Sequence, residues 1–245
     1  MSLPELEPVA ILLAGGRGTR IRDRHPMLPK PLIPCGGRPF IEWVIRHFAN
    51  NGLTRFVVSL GHLAEVAEEH FRTRPQDGLS IDLVREPAPL GTGGGLRWAW
   101  RTIPERDVVV ANADSLVLVD LRAARMLFDT AGVDGVVVGV EQDDASRYGT
   151  LRVGPNNRLL AFEEKRPGSG LVNAGIYFLR SRLLESISAE TPLSLETDVI
   201  PRWIASGGDI RVFACRAPFL DIGTPESLDS AEAFLATHWA KGTGQ

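Results

Sequence analysis

The sequence predicts an α/β fold with a doubly wound, mostly parallel sheet covered by helices. Short apolar runs alternate with amphipathic stretches through the first half of the 245-residue chain, which is the pattern of successive strand–helix units. Gly52 and Gly132 follow two of the amphipathic stretches, where they are typical helix ends. Ligands of such sheets bind beyond the carboxyl ends of the strands, so we expect the functional site at that edge.

The apolar runs and the amphipathic stretches give the predicted strands and helices of the first half. Apolar runs predict strands at 9–13, 56–60, 81–85, 108–111 and 135–140. Amphipathic stretches predict helices at 40–50, 63–71, 92–100 and 121–131. Each predicted helix therefore lies between two predicted strands.

The second half of the chain is less regular. Its predicted elements are two hairpin strands, a third strand, a helix, a fourth strand, a terminal helix and a frayed tail, at 149–153, 159–164, 174–179, 194–204, 210–214, 225–239 and 241–245. The hairpin turns over Gly154-Pro155-Asn156-Asn157, and Ser194 is the candidate N-cap of the helix.

Composition and charge argue against some classes of binding partner. The formal net charge is −3 and charges of both signs are mixed along the chain, so neither nucleic acid nor an anionic membrane is an expected partner. No apolar run approaches transmembrane length, and the acidic start lacks the features of a secretory leader, so we expect a cytoplasmic protein. Cys35 and Cys215 are far apart and are expected to be free thiols, with no metal-ligand spacing.

A glycine-rich, basic loop follows the first predicted strand and has the parts needed to hold a triphosphate. The loop reads Leu13-Ala14-Gly15-Gly16-Arg17-Gly18-Thr19-Arg20, and Pro29-Lys30-Pro31 comes after it. Glycines bring bare N–H groups close to phosphate oxygens, arginines donate in forks, and a lysine adds a compact charge. The spacing matches neither the P-loop nor the G-x-G-x-x-G fingerprint, and a basic surface turn is the alternative.

This loop resembles the signature of the sugar-phosphate nucleotidylyltransferases, which runs L-A-G-G-x-G-T-R and then P-K-P. The resemblance extends from Val9 to about Phe234. It implies one domain over 1–245, a Rossmann-like and GT-A-like α/β/α sandwich with a small β-rich acceptor-binding insertion. A nucleotide-binding half at about 8–140 and a sugar-phosphate-binding half at about 141–240 would take a nucleoside triphosphate and a sugar 1-phosphate.

Nucleotidyl transfer requires that charge be neutralised on both reacting phosphates. Asp114, after the strand at 108–111, and Asp221, before a Gly-Thr-Pro turn, lie at predicted strand ends and are candidate ligands for Mg²⁺. Helix capping is the alternative for each, although Thr224 is better placed to cap the final helix. The resemblance gives both aspartates the magnesium role, with Ala113 where the family usually has glycine.

A second glycine cluster, Leu90-Gly91-Thr92-Gly93-Gly94-Gly95, opens the helix predicted at 92–100. Glycine inside a helix is unfavourable by about 1 kcal/mol relative to alanine, so we expect the close approach of a flat base as the reason. A flexible turn that caps the helix is the alternative. The nucleotide-binding residues that the resemblance implies are Leu13, Ala14, Gly15, Gly16, Arg17, Gly18, Thr19, Glu86, Leu90, Gly91, Thr92, Gly93 and Asn112.

The resemblance also implies an acceptor site in the second half. Its sugar-phosphate-binding residues are Tyr148, Gly149, Glu163, Glu164, Lys165, Asn173, Ala174 and Gly175. The implied catalytic residues are Arg20, Lys30, Asp114 and Lys165, with Lys165 as the cation for the sugar phosphate. Without the resemblance, Glu163-Glu164-Lys165 is more typical of a solvated charge run.

Smaller motifs indicate a subtype. They are Glu86, Pro89-Leu90-Gly91-Thr92-Gly93-Gly94, Asn112-Ala113-Asp114-Ser115, Arg147-Tyr148-Gly149-Thr150, Phe162-Glu163-Glu164-Lys165 and Ser194-Leu195-Glu196. Together they most resemble the D-glycero-D-manno-heptose 1-phosphate guanylyltransferases, which use GTP to make a GDP-heptose for polysaccharide or glycan assembly. The alternatives are mannose-1-phosphate guanylyltransferases and N-acetylmuramate-1-phosphate uridylyltransferases.

An alternative from another class is a non-catalytic regulatory subunit that senses nucleotide sugars, because fold alone does not give activity. Such a subunit is expected to lose a loop cation or a metal aspartate. This chain has them all, which favours an enzyme. A monomer or a homodimer is expected.

Overall fold

The computed structural model describes residues 8–104, 106–165 and 167–242, and a nine-stranded sheet forms the centre of this part of the chain. The strands of this sheet and of two small ribbons are, in chain order, β1 (Val9–Ala14), β2 (Pro34–Cys35), β3 (Arg38–Pro39), β4 (Arg55–Leu60), β5 (Ser80–Arg85), β6 (Val108–Asn112), β7 (Ser115–Val117), β8 (Gly135–Gln142), β9 (Thr150–Val153), β10 (Leu159–Glu163), β11 (Gly170–Leu179), β12 (Ile210–Cys215) and β13 (Phe219–Asp221). The helices are α1 (Phe40–Asn50), α2 (Ala64–Thr73), α3 (Gly91–Trp100), α4 (Leu121–Phe128), α5 (Ser181–Glu185), α6 (Ile200–Ala205), α7 (Pro225–Asp229) and α8 (Ala231–Gly242). A π-helical turn, Leu195–Val199, leads into α6.

The strand order confirms the predicted mixed, mostly parallel sheet. The order is β10-β9-β11-β6-β1-β4-β5, and β8 and β12 extend the sheet from β11. The strands β6, β1, β4 and β5 are parallel, whereas β11 is antiparallel to both β6 and β8. Parallel strands place their carboxyl ends at one edge. Gly15, Gly61, Glu86 and Asp114 follow β1, β4, β5 and β6 at that edge.

Both faces of the sheet are buried, which makes it the middle layer of an α/β/α sandwich. Ala10 and Leu12 of β1 belong to an apolar cluster with α1, α2 and α4, whereas Val9 and Ile11 belong to a second cluster with α3, α5 and α6. Successive side chains of a strand point to opposite faces, so a strand buried on both faces is an unbroken apolar run. Burial of each large aliphatic side chain contributes about 1.5–3 kcal/mol.

Two predicted boundaries are wrong. Helix α4 ends at Phe128 and not at residue 131, because the chain closes there in a tighter turn in which the Thr130 amide donates to the Leu127 carbonyl at 3.2 Å. Strand β11 begins at Gly170 and not at residue 174, because residues 170–173 extend its ladder with β8. Asn173 therefore lies within a strand.

The terminal helix predicted at 225–239 is two helices, α7 and α8, which meet at Ser230. The hydroxyls of Ser227 and Ser230 donate to the carbonyls of Thr224 and Ser227 at 3.0 and 2.9 Å. Side-chain bonds of this kind compete with the helical backbone pattern. Helix α8 runs to Gly242, so the predicted tail is wrong for residues 241 and 242, and its remainder lies outside the described residues.

The predicted hairpin and helix cap are confirmed. Strands β9 and β10 pair antiparallel around the turn at 154–157. The Ser194 hydroxyl accepts a hydrogen bond from the Thr197 amide at 3.1 Å, although the helix begins as a π turn. Cys35 and Cys215 are free thiols as expected. Among the described helices, none is both long enough and apolar enough to span a bilayer.

Candidate active site

The loop after β1 is held by its own backbone. The chain turns at Gly18, whose φ is +56°, a region that favours glycine. The Gly18 carbonyl accepts a hydrogen bond from the Ile21 amide at 3.0 Å, and the Ile21 side chain is buried. Arg17 and Arg20 are exposed on this turn. The loop therefore presents two guanidinium groups at the carboxyl edge of the sheet.

Lys30 opens a short 3₁₀ turn, with Pro29 before it and Pro31 after it. Its ammonium donates to Asp114 Oδ2 at 2.6 Å, and only 12% of its side chain is exposed. A Cβ on Gly18 would lie 3.1 Å from the Lys30 Cβ, so the lysine packs directly against the loop. This packing brings a positive charge to the end of β6.

A cleft of about 300 Å³ lies between the two glycine-rich segments. Its lining residues are Leu13, Gly15, Gly16, Arg17, Glu86, Pro89, Leu90, Gly91, Thr92, Gly95, Asn112 and Asp114. Most of the predicted nucleotide-binding residues thus share one cavity. Ala14, Gly18, Thr19 and Gly93 are not part of this lining in the described structure, and the Ala14 side chain lies in the apolar core.

Glu86, directly after β5, lies where the two glycine-rich segments meet. Its carboxylate accepts hydrogen bonds from the Ser59 hydroxyl at 2.9 Å and the Leu90 amide at 3.4 Å. Burial raises the pKa of this carboxyl, and the two hydrogen bonds oppose the rise. A Cβ on Gly15 would lie 2.3 Å from Glu86 Oε1, and one on Gly95 would lie 2.8 Å from it. A methyl group at either position would displace the carboxylate from its hydrogen bonds with Ser59 and Leu90.

The second glycine cluster has a different physical reason from the one predicted. Gly91 has a φ of +74°, and a Cβ there would lie 2.3 Å from the Leu193 carbonyl oxygen. The Gly93 amide donates to the same oxygen at 2.8 Å, and a Cβ on Gly93 would lie 2.6 Å from Val199. Packing of α3 against the segment before α6, and not the approach of a base, explains these two glycines.

Two aspartates from distant parts of the chain lie side by side. Strands β7 and β13 pair antiparallel and set Ser115 opposite Asp221. The Ser115 hydroxyl lies 3.3 Å from Asp114 Oδ1 and 3.4 Å from Asp221 Oδ2, so it bridges the carboxylates. Burial and the charge of Asp114 raise the pKa of Asp221, while Lys30 and the Gly223 amide oppose the rise.

This pair of carboxylates fits a magnesium ion. Mg²⁺ takes hard oxygen ligands, usually one or two carboxylates together with water and phosphate oxygens. Asp114 and Asp221 would hold the ion, and its charge would relieve the repulsion between them. Within the described residues, no three His, Cys, Asp or Glu side chains form a metal-binding group. The capping alternative is wrong for both aspartates, since Thr224 caps α7 and Asp114 precedes strand β7.

Several predicted acceptor residues meet beside this pair. The backbone amide of Asn173 donates to the Gly149 carbonyl at 3.1 Å. A Cβ on Gly149 would lie 3.5 Å from the Glu163 carbonyl oxygen. Burial raises the pKa of Tyr148, and the charge of Asp221 adds to the rise. Tyr148, whose ring also packs on Phe219 of β13 with 5.2 Å between the ring centroids, therefore lies near Asp221.

The remaining predicted acceptor residues have other surroundings. Ala174 is 1% exposed and its methyl group lies in the core, so only its backbone can contact a ligand. Gly175 has a φ of +73° and packs on Asn112, where a Cβ would lie 2.7 Å from Nδ2. Glu164 and Lys165 are exposed just beyond β10.

Three polar residues at the site were not predicted as site residues. Arg147 donates to Thr224 Oγ1 at 2.8 Å, and its charge opposes the rise in the pKa of Asp221. Ser59 orients Glu86, and Ser115 bridges the aspartates. Arg147 could have been found from its place beside a predicted acceptor residue. Ser115 has the same signal, since it follows Asp114, whereas Ser59 has none because its role depends on Glu86, a partner 27 positions away.

A glycine-rich loop, a buried lysine and an aspartate pair at the carboxyl edge of a mostly parallel sheet define a phosphate-handling α/β protein. The chain belongs to the nucleotidyl transferase family, whose model matches residues 9–238. It is 33% identical to the D-glycero-alpha-D-manno-heptose 1-phosphate guanylyltransferase of Aneurinibacillus thermoaerophilus, over 92% of this chain and 97% of the relative. It is 29% identical to the mannose-1-phosphate guanylyltransferase of Mycobacterium tuberculosis, over 92% of this chain and 64% of the relative.

Solved structures agree with this assignment. HddC from Yersinia pseudotuberculosis has a TM-score of 0.83 and 29% identity, over 92% of this chain and 98% of that chain. HddC complexed with GMP-PN has a TM-score of 0.82 and the same identity. The predicted α/β nucleotidyltransferase fold is confirmed.

Gly15→Ala should destabilise the free protein by more than about 1 kcal/mol, because the methyl group has no room beside the Glu86 carboxylate. Gly16→Ala is the matched control, since a Cβ at Gly16 meets nothing within 4 Å. That variant should change the free energy of unfolding by less than about 0.5 kcal/mol. Urea denaturation of both variants measures the difference, and equal stabilities would contradict the role given to Gly15.

Proposed function

We propose that this protein transfers a guanylyl group from GTP to D-glycero-D-manno-heptose 1-phosphate, with Mg²⁺, and releases pyrophosphate. The observation that carries the proposal is the meeting of Lys30, Asp114 and Asp221 at the edge of the glycine-lined cleft, with Tyr148 adjoining. A triphosphate in the cleft and a sugar phosphate beside Tyr148 would meet at this charged place. The heptose relative, covered over 97% of its length, supports the subtype.

In the proposed reaction, a phosphate oxygen of the sugar 1-phosphate attacks the α-phosphorus of GTP. A new P–O bond forms as the bond from the α-phosphorus to the α,β-bridging oxygen breaks, and pyrophosphate carries away that electron pair. Such transfers depend on positioning and charge stabilisation and need little covalent chemistry from the protein. The products are GDP-heptose and pyrophosphate.

The loop cations are proposed to neutralise the triphosphate. Arg17 and Arg20 are exposed beside bare glycine amides and would hold the outer phosphates with their forked donors. Lys30 is held near the end of β6 and would stabilise charge that develops during transfer. Asp114 and Asp221 would hold the magnesium ion, which when bound supplies charge neutralisation for the phosphates.

Glu86 is the proposed base-selecting residue. Guanine presents two adjacent N–H donors on one edge, whereas uracil and thymine present one N–H between two carbonyl oxygens. A carboxylate is acceptor-only and has sites for about four hydrogen bonds. Glu86 accepts hydrogen bonds from the Ser59 hydroxyl and the Leu90 amide, and its remaining lone pairs can accept the two guanine N–H groups. This chemistry favours GTP over UTP.

The acceptor is proposed to lie against Tyr148, Gly149 and Asn173, with Lys165 as the cation for its phosphate. Mannose 1-phosphate is the second candidate acceptor, because a mannose-1-phosphate guanylyltransferase is 29% identical over 92% of this chain. We place the reaction in the cytoplasm, the compartment that holds nucleoside triphosphates, and expect a monomer or a homodimer.

Pyrophosphate release over a grid of substrates tests this function. GTP and UTP are each combined with heptose 1-phosphate, mannose 1-phosphate and N-acetylmuramate 1-phosphate. The pair of GTP and heptose 1-phosphate should have the highest kcat/KM, by at least about tenfold. A higher kcat/KM for another pair would show that the protein is a different sugar-phosphate nucleotidylyltransferase. Absence of release from every pair, with nucleotide sugar still bound, would favour a non-catalytic sensor.

Asp114→Asn should lower turnover at least about a hundredfold, because a neutral amide is a poor ligand for Mg²⁺. Asp82→Asn is the matched control, since Asp82 is a half-exposed carboxylate on β5 that lies 3.7 Å from the Arg55 guanidinium. Turnover is measured over a range of magnesium concentrations, with thermal unfolding as the check on folding. Full activity of Asp114→Asn, or of the native protein in excess EDTA, would remove the metal from the proposal.

A further inference from the structure

A chain of hydrogen bonds joins the second glycine cluster to the acceptor strand β11. One carboxylate oxygen of Glu196 accepts from the hydroxyls of Thr92 and Ser194 at 3.1 and 3.0 Å. Its other oxygen accepts from the Tyr177 hydroxyl at 2.9 Å. The Tyr177 oxygen in turn accepts from the Asn173 Nδ2 at 2.7 Å. Glu196 thus lies between a residue of the nucleotide cleft and a residue of the acceptor site.

The direction of each bond in this chain is determined by the carboxylate. An ionised Glu196 can only accept, so Tyr177 must donate to it and must receive its own hydrogen bond from elsewhere. That bond comes from Asn173 Nδ2, and the Asn173 Oδ1 then accepts from the Gly175 amide at 3.1 Å. The Tyr177 hydroxyl therefore donates to Glu196, and the side-chain amide of Asn173 is held with Nδ2 toward Tyr177 and Oδ1 toward Gly175.

Burial makes this arrangement rigid. Tyr177 is 0% exposed, and both burial and the charge of Glu196 raise its pKa well above the usual value for a phenol. The hydroxyl therefore stays protonated near neutral pH and can donate to an ionised Glu196. A hydrogen-bond chain in a low-dielectric interior is polarised along its length, and an unpaired member is costly.

The carboxylate oxygen of Glu196 that faces Thr92 also accepts hydrogen bonds. The Thr92 hydroxyl donates to Glu196 and accepts from the Leu195 amide at 2.7 Å. Its single O–H is used within the protein, although Thr92 lines the nucleotide cleft. The carboxylate therefore connects the first turn of α3 with β11 through groups that are already satisfied.

We propose that Glu196 is a positioning residue for the acceptor, which acts through Tyr177 to orient the Asn173 amide as a hydrogen-bond donor to a hydroxyl of the sugar. This inference rests on the proposed function, which places the sugar against Asn173. One N–H of Nδ2 binds Tyr177, and the second N–H is the donor assigned to the sugar. Glu196→Gln preserves the shape but adds an amide that can donate to Tyr177, which permits the reversed chain.

The test compares Glu196→Gln, Tyr177→Phe and the double variant, with Asp198→Asn as the matched control. Asp198 lies in the same π turn, and its carboxylate accepts from the Ser194 backbone amide at 2.7 Å, a bond that Asp198→Asn can keep because the amide oxygen of asparagine also accepts. The substrates are GTP and heptose 1-phosphate. Each single variant should raise the KM for the sugar phosphate about tenfold and change the KM for GTP less than about twofold. The double variant should be no worse than either single variant, because both break one chain.

A second measurement needs no turnover. In NMR spectra assigned with Asn173→Asp, the side-chain amide protons of Asn173 should exchange with solvent at least about tenfold faster in Glu196→Gln and Tyr177→Phe than in the native protein. Asp198→Asn should leave that exchange unchanged. The Tyr177→Phe variant keeps the test available if Glu196→Gln does not fold.

The outcomes separate the two proposals. Unchanged amide exchange in both variants would overturn the positioning role, and so would single effects that multiply in the double variant or an equal rise in both KM values. If the native protein turns over no sugar 1-phosphate, the proposed function fails while the exchange measurement still decides the orientation of Asn173. Faster exchange together with a selective rise in the sugar phosphate KM supports both.

Discussion

The repulsion between two neighbouring carboxylates is the constraint on which the rest of this site depends. Asp114 and Asp221 are brought together by the pairing of β7 with β13, two short strands more than a hundred residues apart in the chain. Burial and proximity raise the pKa of Asp221, so the arrangement stores an electrostatic cost that Lys30 partly offsets. A site of this kind is suited to gain a cation together with its anionic ligands.

The glycines around the cleft serve the same arrangement by removing side chains where the backbone must approach another group. Gly15 and Gly95 make room for the Glu86 carboxylate, while Gly91 and Gly93 let α3 pack on the segment before α6. The cleft is thus formed by close internal packing, and its bare amides are a consequence of that packing. The phosphate-binding chemistry then needs only the cations of the loop.

Much of the fold could be predicted because strands buried on two faces are unbroken apolar runs, as in β1 and β8. The site edge followed from topology, since residues after parallel strands share one edge, and Glu86 and Asp114 are found there. The resemblance supplied the roles, and the comparisons support the family and the fold, whereas the roles of individual residues stay proposals.

Other features could not be predicted because they depend on tertiary partners. Nothing local reveals that Gly91 lies on the Leu193 carbonyl, or that Ser115 bridges aspartates more than a hundred positions apart. The direction of a side chain on a short segment was also out of reach, and so Ala174 was assigned to a ligand while its methyl group lies in the core. The break at Ser230 reflects serine hydroxyls that compete with the helix, an effect weaker than the amphipathic pattern around it.

We propose that Asp114 and Asp221 form one metal site that unites the two halves of the chain. Its most direct test is the anomalous scattering from a crystal grown with Mn²⁺ and a GDP-sugar. We expect a single anomalous peak in contact with the carboxylates of both aspartates and with the phosphates of the ligand. A nucleotide bound in the cleft with the metal held away from either aspartate would contradict it.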